Sequence, residues 1–77
     1  MPLTRPRYEM SESIREALTA RGLMDAYLNR PDYQQNDYIG WITRAKLDST
    51  REKRLNQMLD ELASGGLYMK MKWSEKV

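Results

Sequence analysis

The apolar pattern of this chain changes period once, at Gly65-Gly66. Before the glycines, Leu55, Met58, Leu59 and Leu62 recur at the spacing of one helix face. After them, Leu67, Met69, Met71 and Trp73 alternate with Tyr68, Lys70, Lys72 and Ser74, the period of an extended segment with one buried side. The first pattern demands other helices to cover its stripe, and the second predicts a tail over 67–77 that lies across them or pairs with the N-terminal arm. With 77 residues, such a chain forms one domain and buries only about 60% of the surface its unfolded form exposes, so the core is thin.

Upstream, the same reasoning yields three more helices. Pro2 and Pro6 push residues 1–10 towards an extended arm whose Leu3, Tyr8 and Met10 can pack on the core. Ser11 or Ser13 caps a first helix, Ser13 and Glu16 having capping-box spacing, and Gly22 ends it with Leu23 placed for the accompanying contact. A short second helix from Met24 to about Asn29 stops before Pro31, which suits the first turn of a third. That third helix is expected to reach Lys46, with Tyr38, Trp41, Ile42 and Ala45 inward and Gln34-Gln35-Asn36 on a solvated face. Gly40 inside it costs about 1 kcal/mol relative to alanine, which implies close approach of a neighbouring helix. Asp48 or Ser49 caps the fourth, Ser49 and Glu52 again having capping-box spacing. The expected architecture over 1–77 is therefore a single all-α, four-helix domain: a short helical hairpin, two longer packed helices and an extended C-terminal segment.

Composition narrows function more by exclusion than by assignment. The chain has no cysteine and no histidine, which removes thiolate metal sites, disulfides and the commonest general base. No cofactor is expected. No stretch approaches the roughly 20 apolar residues of a membrane span, and the Pro-rich start lacks the apolar core of a signal peptide, so the cytoplasm is the expected location. The formal net charge of +2 is too small to imply nucleic acid by itself. A smaller basic track, Tyr68, Lys70, Lys72, Trp73 and Lys76, keeps weak, sequence-nonspecific nucleic-acid binding as an alternative, although alternation separates Trp73 from the lysines.

Arg51, Lys53 and Arg54 create a conflict, because they open the fourth helix with cations where the helix dipole favours anions. Either carboxylates such as Asp32 or Asp37 of the preceding helix pair with the two arginines, or an external anion does. On the second reading Lys46, Ser49, Thr50, Arg51 and Arg54 form an anion-recognising corner built from backbone N–H groups and guanidinium forks. Lys46 near Ser49 or Thr50 is the best constellation available for catalysis, but a lysine base needs burial that this cation-rich segment does not offer. The chain is not expected to be an enzyme.

Trp41-Ile42, Ala45-Lys46, Thr50-Arg51 and Arg54, followed by a leucine-rich helix, resemble the YdeI/OmpD-associated family, also called bacteriocin-protection proteins, from about Pro31 to Leu62. The flanking residues 21–27 and 33–38 look like those of short, stand-alone bacterial members. The resemblance implies an all-helical module, a loose link to stress or antimicrobial-peptide tolerance, and no catalytic residues. Together these readings predict a small accessory protein that binds an unidentified protein partner through the corner at Lys46, Ser49, Thr50, Arg51 and Arg54. Its oligomeric state is open.

Overall fold

The computed structural model describes residues 8–72. Four helices follow one another: α1 (Glu12–Ala20), α2 (Met24–Leu28), α3 (Asp32–Thr43) and α4 (Asp48–Ser64). Two short strands, β1 (Leu67–Tyr68) and β2 (Met71–Lys72), complete the order. The predicted all-helical architecture is present, with α1 and α2 as the hairpin and α3 and α4 as the most extensively packed pair. The core joins Ile14 and Leu18 of α1, Tyr27 of α2, Tyr38, Ile39 and Ile42 of α3, and Met58, Leu59 and Leu62 of α4.

Local chemistry sets the boundaries. Ser11 caps α1, its Oγ accepting from the Ile14 amide at 3.4 Å, so the Ser13–Glu16 box is not what starts the helix. At the other end Gly22, at φ +67°, lets Leu23 N–H donate to Leu18 O and Gly22 N–H to Thr19 O, a Schellman closure. Pro31 stands just outside α3, at its N-cap in extended geometry, because the helical ladder begins at Asp32. α3 stops at Thr43, short of the expected Lys46, and Ala45 N–H closes a tighter last turn onto Ile42 O at 3.2 Å. α4 begins earlier than either expected cap allows: Leu47 is the N-cap, one residue before Asp48 and two before Ser49, no side chain caps the helix, and the Ser49–Glu52 box is not formed.

Three expectations about packing are corrected. The neighbour that fits against Gly40 is a side chain of the N-terminal arm: a Cβ there would stand 2.6 Å from Cε2 of Tyr8. Gln34 and Asn36 are buried, because α3 is covered on several sides. Gln34 Oε1 accepts from Arg30 Nη1 at 3.0 Å, and Asn36 Oδ1 accepts from the Tyr8 amide at 2.8 Å, which pins the arm. The extended tail, finally, folds back on itself. β1 and β2 pair antiparallel with Leu67 opposite Lys72 and Tyr68 opposite Met71, and Met69 and Lys70 turn at φ 51° and 67°. The turn breaks the alternation, so Tyr68 and Met69 pack on the core while Leu67 and Met71 face outward. Leu3, Trp73 and Lys76 lie outside the described residues.

Candidate functional site

The conflict at the start of α4 is resolved at the end of α3. A helix leaves its last carbonyls without amide partners. Arg54 Nη1 donates to Trp41 O at 2.6 Å, and its guanidinium lies 5.2 Å from the centroid of the Trp41 ring. Arg51 Nη2 donates to Ala45 O at 2.9 Å while Nη1 donates to Asp48 Oδ1 at 3.1 Å. Arg54 therefore closes a carbonyl in the last turn of α3, where the helix dipole favours a cation, and Arg51 closes one in the segment that joins α3 to α4. The expected ion pairs with Asp32 or Asp37 do not form, because the arginines reach the C-terminal end of α3 and the segment after it. Asp32 belongs to its first turn, and Asp37 accepts from the Tyr68 hydroxyl at 2.6 Å.

The structure separates the five predicted site residues into two groups. Arg54 is tied to α3, and Arg51 to the segment that follows it. Lys46 and Ser49 are exposed and Thr50 is half-buried. The ladder of α4 starts with Arg51 N–H donating to Leu47 O at 2.9 Å, so the amides of Asp48, Ser49 and Thr50 precede it, with no side chain capping them. A cleft of about 510 Å³ opens beside them, walled by Ser11, Ser13 and Ile14 of the α1 start, Ile42 and Thr43, and Asp48, Arg51, Glu52 and Leu55. Of the predicted residues only Arg51 lines it.

Of the alternative basic track, Tyr68, Lys70 and Lys72 lie among the described residues. Tyr68 packs on the core, edge-to-face with Tyr33 at 6.0 Å and Tyr38 at 5.4 Å, with its hydroxyl held by Asp37. Lys70 and Lys72 are exposed.

A buried acid that no sequence motif marks organises the C-terminal half of α4. Glu61 is 3% exposed. Its Oε1 accepts from the Tyr38 hydroxyl and from Met69 N–H at 2.8 Å, and its Oε2 accepts from Lys70 N–H at 2.7 Å and Gln57 Nε2 at 3.1 Å. Its carbonyl accepts from Arg30 Nη2 at 3.2 Å. Burial, and then the bond to Glu61, push the Tyr38 hydroxyl well above its ordinary pKa; burial and the bond to Asp37 do the same to Tyr68. This network fastens the hairpin to the helices. Among the described residues no cluster of three or more carboxylates has the arrangement of a metal site, and no helix is long and apolar enough to cross a membrane.

The model of a protein family described as bacteriocin-protection, YdeI or OmpD-associated matches residues 7–65, which takes in α1 and α2 as well as the Trp41–Arg54 segment. No curated protein and no solved structure matches the chain.

Proposed function

This chain belongs to the bacteriocin-protection, YdeI or OmpD-associated family, and on that premise we propose that it is a non-catalytic accessory protein of the cytoplasm, acting in stress or antimicrobial-peptide tolerance. It binds a protein partner through an anion-recognising corner at the α3–α4 junction. Within the corner the cations divide their work. Arg54 fixes the junction by closing Trp41 O. Arg51 is tied on its inner side to Ala45 O and keeps a half-exposed side chain. Lys46 and the amides of Asp48, Ser49 and Thr50 receive a carboxylate or phosphate of the partner. The observation that carries this reading is the uncapped start of α4 beside an exposed lysine.

Titration with inorganic phosphate and with acetate, followed by amide proton–nitrogen spectra, tests it. The amides of Asp48, Ser49 and Thr50 shift saturably in the wild type and at least threefold less in Lys46→Ala. Shifts that are absent there, or equally large across the surface, contradict the corner.

A further inference from the structure

The hairpin of β1 and β2 lies beyond the part of the chain that the family shares, which stops at residue 65. Gly65 and Gly66 join it to α4. Both are exposed, Gly65 stands at φ +80°, and nothing lies within 4 Å of where its side chain would be, so the joint is free to turn. The hairpin does little to hold itself. Its strands share two residue pairs, and Leu67 and Met71 face outward. Met69 and Lys70, at φ 51° and 67°, occupy the left-handed region that any side chain disfavours. Such geometry persists only where the surroundings enforce it.

Two acidic side chains of the helices do the enforcing. Glu61 accepts from both strained amides, at 2.8 and 2.7 Å, and Asp37 accepts from the Tyr68 hydroxyl at 2.6 Å. We propose that the hairpin is a strap under strain, which swings open at Gly65-Gly66 as one unit while the four helices stay folded. The buried residues of the core all belong to helices, so opening removes none of them. It strands no charge either. Glu61 keeps the Tyr38 hydroxyl and Gln57 Nε2 as donors, and water replaces the two amides. What the closed strap hides is the Tyr38 ring, 5.4 Å from that of Tyr68, and the Glu61 carboxylate, both buried beneath it. The open form therefore carries an aromatic, acceptor-lined face that the closed form lacks, and the balance between latch and strained turn sets how often that face is presented.

Amide hydrogen exchange of the full chain in low urea, followed residue by residue, tests the strap. Met69 and Lys70 are expected to share one opening equilibrium and, after correction for intrinsic rates, to exchange roughly tenfold faster or more than the buried Ile39 and Leu59. Their exchange also depends less on urea, because opening the strap exposes less surface than unfolding does. Protection and urea slopes equal to those of Ile39 and Leu59 would mean that the hairpin opens only when the whole molecule unfolds, and would overturn the inference. Two substitutions read the strain and the latch. Lys70→Gly relieves the left-handed backbone, so exchange at Met69 slows about three- to tenfold; unchanged or faster exchange contradicts the strained turn. Met69→Pro can neither take a positive φ nor donate to Glu61, so it holds the strap open. That variant is expected to keep its helical circular dichroism and a cooperative melt at a lower temperature, whereas loss of the helices overturns the inference.

Discussion

A buried carboxylate needs donors for both oxygens, and Glu61 has four, two of them the backbone amides of Met69 and Lys70. Replacing it with glutamine keeps the shape and turns one acceptor into a donor that faces N–H groups. We expect Glu61→Gln to lower stability by about 2–3 kcal/mol in urea unfolding, because a buried donor left without an acceptor incurs its full desolvation cost; a loss below about 0.5 kcal/mol would show the network to be dispensable. None of this is legible in the sequence, where Glu61 follows Asp60 and reads as a surface acid. Backbone amides carry no residue signature, and these two lie eight and nine residues away. Arg51 and Arg54 were conspicuous as misplaced cations, yet their acceptors at Ala45 and Trp41 are again main-chain atoms.

Among the elements, helices were the readable part. The Leu55–Leu62 stripe and the Gly22 and Gly65 stops are all local signals, and both glycines have the positive φ that such stops use. The hairpin was not readable, because its turn places Met69 and Lys70 at positive φ without glycine or asparagine to announce it. Alternation then assigned Tyr68 to the wrong side. Its position has a pH consequence shared with Tyr38. Both hydroxyls hold their protons well above the ordinary pKa of 10.0 while the unfolded chain releases them there. The stability they contribute is therefore complete below pH 10.0 and is lost progressively as the pH rises further. Urea unfolding across alkaline pH should show stability falling from that point, with a shallower fall in Tyr68→Phe; a flat profile, or the same slope in the variant, would contradict the assignment.

For the molecule as a whole, the fold follows from α3, which is covered by α4, the hairpin's Tyr68, and the arm through Tyr8. Its polar Gln34 and Asn36 are buried for that reason, and single-helix periodicity could not reveal it. The corner at the end of α3 was legible as a cluster of residues but not as a division of labour, because sequence does not distinguish a cation spent on a carbonyl from one left in solvent. That division is the central claim, and paired substitutions test it most directly through thermal unfolding together with phosphate titration. Arg54→Ala, which loses a charged hydrogen bond and the contact with the Trp41 ring, should lower stability by about 2 kcal/mol. Lys46→Ala should leave stability within about 0.5 kcal/mol and reduce the phosphate-induced shifts at Ser49 and Thr50 at least threefold. Equal destabilisation by the two variants, or phosphate shifts undiminished in Lys46→Ala, would contradict it.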